Sequence, residues 1–173
     1  MIKVNQTMKK LFITLISLCT FFSILTAQTN NTFHPEDIVV NAGISARWIS
    51  SNNQTTFFPS LTASADYCLS SSILENRASI GIGGLLSMGF ISSNYGDSYT
   101  HFTFGPRGTF HYHFVENLDT YASVLLGYGV GNNSGGFIYD FGLGARYYLT
   151  PSLAIMSEIG VLAPLSFGAA FRF

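Results

Sequence analysis

The sequence is short of charged residues. Asp, Glu, Lys and Arg together make up 10% of its 173 residues, whereas soluble domains average about 25%. A soluble fold with so little charge would struggle to cover its surface, but a fold whose surface meets lipid would not. The length corresponds to one domain.

Positive charge is especially scarce beyond the N-terminus. All three lysines, Lys3, Lys9 and Lys10, lie within the first ten residues. From residue 28 onward the chain has five arginines and nine acidic residues, a net charge of 5 − 9 = −4. This balance excludes a basic face for nucleic acid, and we predict no nucleic-acid partner.

Cysteine occurs only at Cys19 and Cys68. Neither residue lies in a CxxC or Cys/His pattern of the kind that binds a metal, and there is no disulfide framework. We therefore predict no metal site and no cofactor, and no residue is predicted to be catalytic.

Long apolar runs are missing after Gln28, where nothing approaches the 18 residues that a transmembrane helix needs. Before it, the basic Met8-Lys9-Lys10 precedes an apolar stretch from Leu11 to Leu25, and Thr26-Ala27-Gln28 follows. This order is typical of a secretory signal peptide, so we predict one over residues 1–27, cleaved near Ala27, then a short segment over 28–37. The alternatives are an uncleaved anchor and a lipoprotein modified at Cys19.

What the sequence has in abundance is alternation of apolar and polar residues. Between His101 and Phe114, one face carries Phe and Tyr and the other carries His, Thr and Arg. Because successive side chains of a strand point to opposite faces, this pattern predicts β-structure. We predict eight strands separated by turn-forming residues, over residues 38–48, 57–69, 77–90, 100–114, 120–130, 137–149, 153–162 and 165–173.

The two predicted faces differ in size as well as in polarity. One face carries bulky apolar residues, with aromatics concentrated towards both strand ends. The other carries small residues, among them Gly43, Ser45, Ser64, Gly83, Gly105, Gly142 and Gly168. Small residues fit the narrow lumen of an eight-stranded barrel, and bulky ones suit a lipid-facing exterior. We therefore predict an antiparallel up-and-down transmembrane β-barrel over residues 38–173.

The signal peptide, the even set of alternating strands and the last strand together resemble the small outer-membrane barrel families, such as the OmpA-type and OmpX-type barrel domains. The last strand, from Leu165 to Phe173, ends on Phe with apolar residues at alternate positions. The resemblance implies a bacterial outer-membrane location, contact with outer-membrane lipid, and recognition of Phe171 and Phe173 by the barrel assembly machinery.

The polar faces also carry ionisable residues, which the predicted register places in the lumen. Unpaired charges in a narrow lumen cost several kcal/mol each, so we predict a paired, structural network. Its members are Arg47, Asp66, Arg107, Asp140, Arg146, Glu158 and Arg172, with His111 and His113 on the polar face of the fourth strand.

We therefore predict a structural or surface-interaction role. One alternative is an enzyme that modifies lipid A, for which Asp97, Ser98 and His101 near one loop are the nearest candidate residues. A second alternative is a soluble, lipocalin-like ligand-binding barrel, in which Phe104, Phe141 and Phe167 would converge on a dry centre. The sequence identifies no ligand.

Overall fold

The computed structural model describes residues 33–51, 54–92, 98–131 and 134–173, so the predicted signal peptide lies outside the described residues. These residues form an all-antiparallel closed barrel in which every strand pairs with its sequence neighbours. The strands are β1 (Ile38–Ser51), β2 (Gln54–Ile73), β3 (Ala78–Ser92), β4 (Ser98–Val115), β5 (Leu118–Gly131), β6 (Ser134–Tyr148), β7 (Leu153–Gly160) and β8 (Leu165–Arg172).

The barrel closes where β1 pairs with β8, from Val39↔Arg172 to Ala46↔Leu165. The predicted eight-stranded up-and-down barrel is therefore confirmed. Most strands are longer than predicted, and β2 most of all, because it begins at Gln54 and continues to Ile73. β7 and β8 are the exceptions, with eight residues each.

The barrel exterior is apolar. Phe104, Phe141 and Phe167 are 48%, 54% and 52% exposed, so they point away from the barrel axis and do not share a dry centre. This arrangement argues against the alternative of a soluble lipocalin-like barrel, since that fold needs the bulky side chains inside. Exposed aromatics occur near both strand ends, at Phe57, Phe90, Phe102, Tyr128, Phe137 and Tyr139, and at Tyr67, Phe110, Phe114, Tyr147, Phe171 and Phe173.

The lumen is lined by the alternate, smaller and polar residues. In β5 the buried positions recur at every second residue through Asp119, Tyr121 and Ser123. The close inner wall has little room even for a methyl group at several glycines, for example Gly142, where a Cβ would lie 2.8 Å from Ser123 Oγ. Within the described ranges, no helix is long and apolar enough to cross a membrane.

Residues 33–37 precede β1 and fold against the barrel end that carries the short β2–β3 and β4–β5 turns. Cys68 N donates to Asp37 O at 3.0 Å, and Glu36 N donates to Cys68 O at 3.4 Å. We call this end the lower end and the opposite end the upper end.

Candidate functional site in the barrel lumen

Arg146 is the centre of the lower lumen. It lies on β6, is fully buried, and donates from Nη2 to Asp66 Oδ2 at 2.5 Å and from Nη1 to Asp119 Oδ2 at 3.0 Å. Its Nε donates to Asn41 Oδ1 at 2.9 Å, and its guanidinium lies 4.4 Å from the centre of the Tyr121 ring. One guanidinium thus connects four strands across the lumen.

Arg107 extends these contacts upward. Its Nη2 donates to Glu158 Oε2 at 2.8 Å, and its Nε lies 3.5 Å from Asp66 Oδ1. The Tyr121 hydroxyl donates to the same Glu158 oxygen at 2.7 Å. We call Asp66, Arg107, Asp119, Arg146 and Glu158 the lower network. It holds two cations and three carboxylates.

His111 supplies further hydrogen bonds at the bottom of this network. Its Nδ1 lies 2.8 Å from Asp119 Oδ1, and its Nε2 lies 2.9 Å from Thr109 Oγ1. An ionised carboxylate only accepts, so Nδ1 carries a proton, and in the neutral ring Nε2 accepts from the Thr109 hydroxyl. Thr109, His111 and Asp119 thus form a hydrogen-bonded chain.

This chain has the residue types of a nucleophile, a base and an orienting acid. Its surroundings do not suit catalysis, however, because Arg146 binds the same carboxylate and a Cβ on Gly81 would lie only 2.6 Å from Thr109 Oγ1. The backbone at Gly81 therefore lies against the Thr109 hydroxyl and leaves no room for a substrate to approach it. The arrangement is better suited to holding β4 and β5 in register.

Phe33 closes the lower end of the lumen. It is fully buried, and its ring centre lies 4.3 Å from that of His111. It belongs to a small apolar cluster with Val39, Cys68, Tyr148, Ala154 and Ala170. The Cys68 thiol also lies 3.7 Å from the Phe33 carbonyl oxygen. This apolar floor separates the lower network from the lower mouth of the barrel.

The upper lumen is built differently. A cavity of about 30 Å³ lies there, and its lining includes Arg47, Thr62, Asp140, Ala163 and Ser166. Arg47 is only 5% exposed. Asp140 lines the same cavity, yet no ion pair within 4.0 Å joins Arg47 to any described residue. Asp140 Oδ1 accepts instead from the backbone N–H of Leu162 at 3.0 Å.

The structure therefore divides the seven predicted charges into three groups. Asp66, Arg107, Arg146 and Glu158 meet in the lower network. Arg47 and Asp140 face the upper cavity, and Arg172 lies at the lower mouth, where its guanidinium is 4.8 Å from the Tyr148 ring centre and 4.0 Å from Asp37.

The remaining predicted residues also have clear positions. His111 is buried, while His113 is half-buried, with its Nε2 3.4 Å from Ser79 Oγ. Phe171 and Phe173 lie on the exterior, and Phe173 N donates to Ile38 O at 2.9 Å. His101 lies near the upper end with its ring centre 6.2 Å from that of Phe58. The side chains of Asp97 and Ser98 lie outside the described residues.

Sequence reasoning missed four members of the lumen: Phe33, Asn41, Asp119 and Tyr121. Asp119 was assigned to the connection after the fourth strand, but β5 begins at Leu118 and turns Asp119 inward. The sequence pattern could have identified Asp119, because residues 119, 121 and 123 are alternate residues and therefore share one face of the strand. Within the described residues, no group of three or more His, Cys, Asp or Glu side chains could hold a metal ion.

No protein-family model matches the chain, and no curated protein matches it. Solved structures do match. The attachment invasion locus protein Ail of Yersinia pestis, in complex with the heparin analogue sucrose octasulfate, gives a TM-score of 0.55 at 10% identity, over 80% of this chain and 99% of Ail. The outer membrane protein OprG of Pseudomonas aeruginosa gives 0.54 at 8% identity, over 83% of this chain and 99% of OprG.

Neisserial surface protein A gives a TM-score of 0.51 at 14% identity, over 79% of this chain and 96% of that protein. At these identities the likeness concerns the fold. The chain has the fold of the small eight-stranded outer-membrane barrels, and the predicted outer-membrane barrel is confirmed.

Proposed function

We propose that this outer-membrane barrel has a structural role, and that its lumen is a rigid plug and not a standing channel. The observation that supports this is the lower network, in which Arg146 binds two carboxylates while Arg107 binds Glu158 and lies beside Asp66. Such a network bridges strands that are far apart in sequence, so it stiffens the barrel from inside. The apolar floor around Phe33 adds a second barrier.

Charge is the reason why the plug would resist ions. An ion that enters a lumen this narrow must lose most of its water, and the carboxylates and guanidiniums of the lower network that could replace that water already bind one another. Barrels of eight strands are filled by their own side chains, which agrees with this proposal.

Electrical recording tests the proposal directly. The purified barrel, inserted into a planar lipid bilayer in 1 M KCl, should give no steady conductance steps. The variant Phe33→Ala with Arg146→Ala, which removes both the floor and the centre of the network, should conduct. Steady conductance by the unmodified protein would contradict the proposal.

The proposed role is not enzymatic. Deleting the His101 imidazole in His101→Ala should leave the lipid A of expressing cells unchanged in mass, compared with cells that carry the unmodified protein. A mass change that requires His101 would favour the lipid A-modifying alternative instead.

A surface-interaction role stays a secondary proposal. Ail was crystallised with a polysulfated sugar, a ligand that demands clustered positive charge. In this chain the upper connections over residues 52–53, 93–97 and 132–133 carry Asp97 as their one charged residue. A heparin column should therefore fail to retain the folded protein at physiological salt, and retention would favour an adhesive role.

A further inference from the structure

The barrel wall is lowest at the hairpin that joins β7 to β8. β6 pairs with β7 only from Gly142 to Tyr148, and β1 pairs with β8 only up to Ala46. The upper parts of β6 and β1, residues 134–141 and 47–51, rise beyond the hairpin. With roughly 3.4 Å per residue, the rise is on the order of 20 Å along the strands.

Two backbone bonds join these rising parts to the hairpin. Val161 N donates to Phe141 O at 3.1 Å, and Trp48 N donates to Leu162 O at 3.3 Å. Above those bonds, no described strand pairs with the facing edges of β6 and β1. We call this opening, bounded below by residues 161–164, the side gap.

The hairpin separates two spaces of opposite character. On its inner side lies the upper cavity, which Ala163 lines together with Arg47 and Asp140. On its outer side lies a groove of about 600 Å³ along β5, β6 and β7, lined mainly by apolar residues including Val124, Leu143, Ile159, Val161 and Pro164. A molecule that crosses the hairpin would therefore need one polar end and one apolar end.

The polar side of the gap matches a headgroup with both signs of charge. Arg47 is buried and makes no ion pair with a described residue, so its planar guanidinium is available for a phosphate. Asp140 lines the same cavity and would repel a purely anionic group, but it can accept from an ammonium. Glu158 also lines the cavity, but Arg107 and Tyr121 bind it.

We propose that the side gap binds one membrane lipid whose headgroup carries a phosphate and a protonated amine. The headgroup lies in the side gap between β1 and β6, with its phosphate at Arg47 and its amine at Asp140, because the upper cavity of about 30 Å³ is too small to enclose it. One acyl chain follows the outer groove. The groove positions the chain but contributes little selectivity, because lipid tails are as apolar as the side chains that line it. Selectivity comes from the headgroup.

The chain contains a built-in reporter for this site. Trp48 is its single tryptophan, and its indole Nε1 donates to Val161 O at 2.5 Å, which fixes the ring beside the hairpin. Lipids with brominated acyl chains quench the fluorescence of a nearby indole. Quenching of Trp48 therefore measures which lipid occupies the side gap.

The experiment uses the purified barrel in vesicles that mix phosphatidylethanolamine with phosphatidylglycerol, with one lipid brominated at a time. We expect the ethanolamine lipid to bind beside Trp48 roughly tenfold more tightly, as one charge-assisted hydrogen bond of about 1.4 kcal/mol would give. Equal quenching by the two lipids at equal fractions would overturn the proposal.

Two variants and one control assign the effect to named residues. Asp140→Asn should bring the preference close to onefold, because the amine that it binds is the group that distinguishes the two lipids, while Arg77→Gln, in the exposed lower turn, should keep it. Arg47→Gln removes the partner of the phosphate that both lipids carry, so it should weaken the binding of both lipids beside Trp48 roughly tenfold. Heat-modifiable gel migration establishes that each variant is folded. Unchanged binding of both lipids in folded Arg47→Gln would overturn the role of Arg47. A preference that persists in folded Asp140→Asn would overturn the proposal.

Discussion

The lower and upper halves of the lumen use charge in opposite ways. In the lower half, Arg146 is fully buried and pairs with Asp66 and Asp119. In the upper half, Arg47 is almost as buried but pairs with no described residue, and it faces a cavity. A buried arginine thus holds strands together in the lower half, and in the upper half it is a cation without an ion-pair partner among the described residues.

The largest effect on the stability of the barrel should come from removing Arg146. Arg146→Ala leaves the buried carboxylates of Asp66 and Asp119 without their shared cation, so we expect a loss of about 3–5 kcal/mol in the free energy of unfolding. Urea unfolding of the barrel in vesicles measures it. Arg77→Ala, which is exposed in the β2–β3 turn, is the matched control and should change it by less than about 0.5 kcal/mol.

The next effect concerns the floor. Phe33→Ala removes a buried ring and should cost about 3 kcal/mol. It should also expose Cys68, which is 1% exposed in the intact fold. A maleimide added to the folded protein should then label Cys68 in this variant but not in Phe114→Ala, whose ring is already 59% exposed. Equal labelling of the two variants would mean that Phe33 does not close the lumen.

A smaller loss should follow at the top of the lower network. Glu158→Gln keeps the shape of the side chain but removes the charge that faces Arg107, and the side chain is 17% exposed. We expect a loss of about 1.5 kcal/mol, the lower end for hydrogen bonds to charged groups, because solvent reaches this carboxylate. Glu116→Gln in the exposed β4–β5 turn is the control, and a loss equal to that control would place Glu158 outside the network.

The smallest effect should come from the upper half. Arg47→Gln breaks no ion pair among the described residues, so the free energy of unfolding in lipid-free detergent should change by less than about 1 kcal/mol. Unfolding in the same detergent for Arg47→Gln and Arg146→Gln makes the comparison direct. Equal losses for the two variants would mean that the two halves of the lumen do not differ as described.

The fold was predictable because a single physical rule repeats along the chain. Alternation with a period of two decides both that a segment is a strand and which of its side chains face the lumen, as residues 101–114 show. The short length of β7 and β8 also agrees with the prediction, because residues 153–162 and 165–173 are the two shortest of the eight predicted strands. In the structure both strands are shorter still, with eight residues each.

The lumen was less predictable, and particular residues show why. Alternation assigns a face to Arg47 and Arg146 alike, but it cannot say which carboxylates come within 3 Å after the barrel closes. Asp119 was misplaced because the turn at Asn117, which has a positive φ of 62°, was extended by two residues. Phe33 precedes every strand, so no periodicity connects it with the lumen.

The seam between β1 and β8 has a consequence for how the molecule is made. Every other strand pair joins sequence neighbours, but this one joins Ile38 to Phe173, the widest separation in the barrel. During synthesis β1 emerges first and must wait for β8, so its edge stays unpaired until seven other strands exist. Such distant pairing is intrinsically slow, and an exposed edge invites association with other chains. A folding chaperone would therefore have its largest effect on the pairing of β1 with β8.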